Sequence, residues 1–326
     1  MAVDPEGGFW HCESAVDALS QVLRSLRLRS SIYAAWDMSA PWGLAFDRAR
    51  YAPFHLVESG WALLILEDGR RLRLEPGDVS VIFDGSRHRI CDAPASAATP
   101  IMSALRDKNG PVRTHRFGGD GRKTRIICGK FMLDERESGP ALWRQLPGLV
   151  HVRRGSRAQP NEFPVAFKML ADELRGGEPG GERAAALLTE TLFIQVVRAI
   201  LAQDEGRVSG WLEGLRDPQI GAALALIHAE PEKSWTLETL ARRAGLSRSV
   251  FAQRFHEGVG VPPMSYLAEW RLKLAARWLL ESSLSVAQVG HRFGYRSPAA
   301  FHRAFKNQHG LSPSEFRAER RGSRQA

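Results

Sequence analysis

Leu240-Ala241-Arg242-Arg243-Ala244-Gly245-Leu246-Ser247-Arg248-Ser249-Val250-Phe251-Ala252-Gln253-Arg254-Phe255 returns in altered form as Val289-Gly290-His291-Arg292-Phe293-Gly294-Tyr295-Arg296-Ser297-Pro298-Ala299-Ala300-Phe301-His302-Arg303-Ala304-Phe305. The offset is 49 at the glycines and 50 from the serines onward, so the second copy carries one extra residue in its turn. Each copy reads as helix, tight turn, helix. Thr236 is placed to cap the first helix, with Glu238 near its positive end. Gly245 and Gly294 stand where the first helix must stop in a left-handed conformation that glycine adopts at little cost. Ser247 and Ser297 cap the second helix, and Pro298 follows at the first helical position, where its missing N–H is no loss. Phe251 and Phe255, like Phe301 and Phe305, are four apart and turn one face inward. Ala252, Gln253, His302 and Arg303 therefore face outward. A helix–turn–helix holds its second helix by such an apolar underside and offers the outer face to a DNA major groove.

The flanking segments complete the pattern. Pro262-Pro263 opens a helix running to about Ser282, and Ser285-Val286-Ala287-Gln288 is a capping box that starts the second unit. His309-Gly310 ends its last helix, and Ser312-Pro313-Ser314-Glu315 opens a closing one. Two units on one rigid helix address successive major grooves about 34 Å apart. One chain then reads two adjacent submotifs.

Charge is distributed to match. The net charge is +9, and residues 218–326 hold 16 Lys and Arg against 8 Asp and Glu, whereas residues 1–217 hold 29 against 28. A localised basic excess suits a polyanion-binding module, because neutralised phosphates release counterions. Charge does not separate DNA from RNA or membrane; the duplication favours DNA.

The remainder is organised differently. With 326 residues and 44% hydrophobic content, about two globular domains are expected, not a disordered or collagen-like chain. Three cysteines, Cys12, Cys91 and Cys128, cannot make a disulfide framework, which points to a reducing cytoplasm. No 18-residue apolar run is present and the start MAVDPEGGFW is not signal-like, so neither a membrane partner nor export is expected. Ala15 to Leu28 has helical apolar spacing. From about 42 to 132 the period becomes that of strands: Trp61 to Leu66, a turn at Asp68-Gly69, Arg71 to Leu74, a turn at Glu75 to Asp78, Val79 to Phe83, and later Arg125 to Leu133. Such spacing predicts a small β-sandwich or barrel. Asp92 to Thr114 reads as loop and Arg153 to Pro160 as linker. Helices follow at Phe163–Leu174 and Glu182–Ala202, the latter with an apolar stripe for its own domain or for a second copy of the chain.

Residues 235–321 resemble the DNA-binding domain of the AraC/XylS family of transcription regulators, most closely from Gly294 to Phe301 and from Phe305-Lys306 through Gly310 to Arg317. Gly290, where the family usually has Ala, departs from the pattern and is expected to loosen its helix slightly. The resemblance implies base-facing residues at Arg248, Ser249, Ala252 and Gln253 in the first unit. In the second they are Arg296, Ala299, His302 and Arg303. Arg303 suits guanine and Gln253 adenine, with Lys306 and Arg271 as phosphate contacts.

Leu74 to Asp92 resembles the second cupin motif through Gly77, Gly85 and His88, with Phe83 and Asp92 where Pro and Asn are usual. His55-Leu56-Val57-Glu58 is similar to a degraded first motif. Residues 15–133 thus resemble the cupin-type sensory domain of one branch of these regulators, and Trp211 to Trp235 its connector. His55, Glu58 and His88 are the candidate effector-binding residues. As a metal set they are one ligand short, which favours hydrogen-bonded barrel histidines and no cofactor or metal. Cys91 and Cys128 are candidate redox positions. A buried cysteine is ordinarily inert, but Arg87, His88 and Arg89 near Cys91 would lower its pKa.

The expected fold is α+β: a cupin-like β-barrel sensory domain over 1–150, a helical connector and self-association region over 151–217, and an all-α domain with two helix–turn–helix units over 218–326. The expected function is a cytoplasmic, non-enzymatic regulator that binds double-stranded promoter DNA. A small molecule or oxidant is its signal, a homodimer its assembly, and RNA polymerase a further partner. The alternatives are a metal-binding cupin enzyme with a DNA-targeting domain, and a DNA-repair methyl acceptor, for which the four-cysteine zinc cluster is missing.

Overall fold

A computed structural model describes residues 19–20, 23, 28–105, 114–133, 146–203 and 210–322. Cys12 and most of the helix expected over 15–28 lie outside them. The chain divides into two compact units, Leu26–Ser209, and Gly210–Ala326 together with Met1–Ser25.

The first unit carries β1 (Leu28–Ser39), β2 (Gly43–Phe46), β3 (Ala52–Ser59), β4 (Ala62–Leu66), β5 (Arg71–Leu74), β6 (Val79–Ile82), β7 (His88–Cys91), β8 (Thr99–Pro100), the short helix α1 (Ile101–Ala104), β9 (Thr114–Gly118), β10 (Lys123–Leu133) and β11 (Leu149–Val152). One sheet has the order β11-β6-β3-β10-β1-β9 and the other β5-β4-β7-β2-β8. Trp36 and Met38 from the first sheet meet Leu44, Leu64 and Ile90 from the second in one buried core. Both turns expected from the sequence are present: Asp68-Gly69 joins β4 to β5, and the Asp78 N–H closes on the Glu75 carbonyl at 3.0 Å. The presumed loop after Asp92 contains β8 and α1 among its described residues.

The expected boundary at residue 150 is corrected. β11 crosses it and pairs with β6, Val150 opposite Val81. Helices α2 (Phe163–Gly176) and α3 (Gly181–Ala202) also belong to the barrel unit. Phe193 of α3 lies 5.1 Å from Phe131 of β10, which stacks on Phe54 of β3 at 4.6 Å. The Ser30 hydroxyl donates to the Ala186 carbonyl at 3.1 Å. The six-stranded sheet is thus covered on its outer face by α3, and so β3 is buried on both sides. α3 is the one helix among the described residues long and apolar enough to span a bilayer by composition, but half of that stretch is buried within its own domain.

The second unit starts at Gly210, eight residues before the expected boundary, and is helical: α4 (Trp211–Gly214), α5 (Pro218–Ala229), α6 (Leu237–Arg243), α7 (Arg248–Val259), α8 (Pro263–Glu281), α9 (Val286–Arg292), α10 (Pro298–His309) and α11 (Pro313–Gly322). Thr236 forms a capping box with Thr239, and Ser285 forms one with Gln288. Ser247 accepts from Val250 N, and Ser297 from Ala300 N. Gly245 and Gly294 have φ of 69° and 84°, the left-handed turn each motif requires. The long helix α8 joins the two motifs.

Candidate nucleic-acid interface and barrel interior

Phe251, Phe255, Phe301 and Phe305 are fully buried and pin α7 and α10 from below. The opposite faces carry the expected residues. Arg248, Ser249, Gln253, Arg296, Ala299, Arg303 and Lys306 are exposed, and Ala252 and His302 are half-buried. Arg248 pairs with Glu238 at 3.0 Å, and the Gln253 amide donates to Glu257 at 2.9 Å. Both contacts are solvent-exposed and easily exchanged for a ligand. Two neighbours escaped the sequence reading. Val250 is exposed on α7. His256, also exposed, occupies the α7 position that Lys306 holds on α10; the 50-residue offset alone identifies it. Beside α10, a cleft of about 590 Å³ is lined by Gln288, His291, Arg296 and Ser297 among others.

Arg271 has a different occupation from the phosphate contact expected of it. Its guanidinium donates to the Pro231 and Lys233 carbonyls, each at 2.7 Å. It also lies so close to the second turn that a Cβ on Gly294 would stand 3.2 Å from its Nη1. Arg292 reinforces this tie, pairing with Glu232 at 2.6 Å and stacking over Trp278 at 4.0 Å. The loop preceding the first motif is thereby bound to the second. Arg254, also missed, holds α7 to the capping residue Asp217 at 3.0 Å through Nε and to Gln219 at 2.7 Å.

Gly290 does more than loosen a helix. A Cβ there would stand 2.9 Å from the Phe301 ring. The missing side chain lets α9 and α10 approach.

Inside the barrel, His55 and His88 do meet, one from each sheet. Their Nε2 atoms are 2.9 Å apart, His55 Nδ1 is 3.2 Å from Cys128 Sγ, and His88 Nδ1 is 2.9 Å from the Ser86 carbonyl. A carbonyl can only accept, so His88 carries its proton on Nδ1 and accepts at Nε2. His55 then donates from Nε2 and accepts the Cys128 S–H at Nδ1. Every proton is placed with both rings neutral. Burial pushes His55 well below its ordinary pKa, helped by His88, and lowers His88 to about 4. Phe46 stacks on His88 at 4.7 Å and seals the chain.

Glu58 does not join them, which corrects the expected triad. On a strand, residues three apart point to opposite faces. His55 faces the interior, while Glu58 faces the helices and pairs with Arg175 of α2. Cys128 and His88 sit at opposite nitrogens of the His55 ring, so no one ion can be held by all three. Among the described residues no group of three or more His, Cys, Asp or Glu is placed to hold a metal ion.

The reactivity argument for the cysteines is also corrected. Cys91 is buried, its thiol 3.6 Å from the Leu63 carbonyl, and burial pushes its pKa up despite the nearby Arg89. That guanidinium is drawn off to the Pro94 carbonyl at 2.6 Å. Burial raises the Cys128 thiol further. Burial thus disfavours the reactive thiolate form of both cysteines in this conformation.

A family model described as Cupin matches residues 17–202, and one described as Helix-turn-helix domain matches residues 240–319. An AraC-like transcription regulator of Streptomyces antibioticus is 32% identical over 306 residues, covering 93% of this chain and 98% of that protein. The HTH-type transcriptional regulator AlkR of Acinetobacter baylyi is 31% identical over 309 residues, covering 93% of this chain and 100% of that protein. The DNA-binding domain of AdpA, solved in complex with a target DNA, is 37% identical, covering 33% of this chain and 96% of that one at a TM-score of 0.31.

Proposed function

Because the chain belongs to the AraC-type family of DNA-binding transcription regulators, we propose that both of its helix–turn–helix units read promoter DNA under the control of a small molecule sensed by the barrel domain. Arg248, Ser249, Ala252 and Gln253 read one submotif, and Arg296, Ala299, His302 and Arg303 read the next, with Lys306 on phosphate. The observation that carries this reading is the paired arrangement of α7 and α10, each fixed by two buried phenylalanines beneath an outer face of polar and small residues. A small molecule is favoured over an oxidant because both described thiols are buried with raised pKa. The bound regulator acts on RNA polymerase at the promoter. Self-association runs along α3, where Leu187 is exposed and Leu188, Ile194 and Leu201 are half-buried.

Genome-wide mapping of DNA bound in cells tests the reading. Discrete sites upstream of genes are expected; uniform recovery of DNA would contradict it.

A further inference from the structure

The barrel interior around His55 and His88 is filled by Phe46 and Cys128, whereas an open cleft of about 320 Å³ lies on the same unit between the barrel and α2. Its charged lining comes from Glu58 of β3, from Arg154 after β11, and from Lys168, Asp172 and Arg175 of α2; Phe167 lines it as well and is apolar. The charges are unevenly matched. Arg175 is shared between Glu58 and Asp172, and Lys168 also pairs with Asp172 at 2.5 Å. Lys168 and Arg175 together hold the Asp172 carboxyl below its usual range. Both acids are therefore satisfied. Arg154 pairs with no carboxylate among the described residues, although the backbone beneath it is firmly held. Its N–H donates to buried Asp78 at 2.8 Å, and Asp78 also accepts from His151 at 2.9 Å. Its stem lies over Gly77, where a Cβ would stand 2.7 Å from Arg154 Cδ. A positioned, unmatched cation beside an apolar surface is a recognition element for an anion with an apolar body.

We propose that this cleft, not the buried histidine pair, is the effector site, and that it takes a small organic anion: a carboxylate or sulfonate on an apolar or aromatic frame. The anion group pairs with Arg154 and Lys168, and the frame lies against Phe167. Arg175 is the tie between β3 and α2, and an incoming anion competes with Asp172 for Lys168, which leaves Asp172 to draw on the Arg175 that it shares with Glu58. Occupancy thus reports directly on how α2 is held to the barrel. This assignment rests on the sensory role proposed above, and the two fail separately.

The test uses 8-anilinonaphthalene-1-sulfonate, an aromatic sulfonate whose fluorescence rises in apolar sites, titrated into the full-length chain. Saturable binding at one site per chain is expected, weakened about tenfold or more by either Arg154→Glu or Lys168→Glu, since each reverses a charge that pairs with the anion. Both side chains are exposed, and unchanged circular dichroism and melting temperature show that the variants fold. Equal affinity in wild type and both variants overturns the site. Adding the same probe to a DNA-binding titration separates the two ideas. If the probe binds at the cleft and DNA affinity is unmoved, the sensory role falls while the site stands.

Discussion

Arg303 and Gly290 sit one turn of the fold apart and depend on opposite properties, reach and absence. Arg303 is exposed on α10, with a guanidinium suited to two hydrogen bonds on guanine. Arg303→Ala should cost about 1–3 kcal/mol at the preferred site and relax base preference at one position. Fluorescence anisotropy on a set of single-base variants measures this; a uniform loss on all of them would remove the base-reading role. Gly290→Ala sets two effects against each other. Alanine improves helix propensity by about 1 kcal/mol, but its Cβ would stand 2.9 Å from Phe301, and overpacking costs about 1–3 kcal/mol. Net destabilisation is expected in urea unfolding, and a more stable variant would show that the close approach is not needed. Glu58 teaches the complementary lesson. Its separation of three from His55 already placed it on the other face once the segment was known to be a strand. The sequence motif drew the two together where strand geometry keeps them apart.

Helices and strands differed in how openly the sequence announced them. The caps at Thr236, Ser247, Ser285 and Ser297, and the glycines between, are local features whose physics is complete within four residues, and each stands in its expected role. β1 was not legible. Its buried positions Ile32, Ala34, Trp36 and Met38 alternate with polar and small residues, a pattern easily lost behind a helix-like stretch. Likewise, the apolar stripe of α3 could not disclose that Phe131 and Phe193 would meet across the sheet, because that partner is distant in sequence. The tie made by Arg271 was hidden for the same reason. By joining the Pro231–Lys233 loop to the second turn, it fixes one recognition helix relative to the other. Arg271→Ala should flatten the dependence of affinity on the spacing between submotifs, so that one added base pair costs the variant less than the wild type. Identical spacing profiles would assign Arg271 to stability alone. In the barrel, the neutral histidine chain predicts an acid-sensitive element. His88 is lowered to about 4, so between that value and the ordinary 6.5 the unfolded chain binds more protons than the native one, and stability rises with pH. It is fully present above about pH 6.5 and lost as the pH falls toward 4, by about 3 kcal/mol from this residue. Urea titrations across that range should show the slope reduced in His88→Leu; an unchanged slope would place the sensitivity elsewhere.

Across the whole molecule, the basic excess and the duplication coincide. Most of the chain's +9 lies in residues 218–326, which present the two recognition helices, and binding should weaken steeply with salt as counterions are released. The barrel unit carries the cleft and the α3 stripe. Its role in assembly is measurable by sedimentation velocity, where Leu187→Lys should shift the chain toward monomer, and an unaltered profile would exclude that face. The central claim is that one chain reads two adjacent submotifs with two different helices. Selection of bound duplexes from a random library tests it most directly, using wild type, Gln253→Ala and Arg303→Ala. The account predicts two enriched submotifs about one helical turn apart, with Gln253→Ala altering one and Arg303→Ala the other. A single enriched submotif, or both substitutions altering the same one, would contradict it.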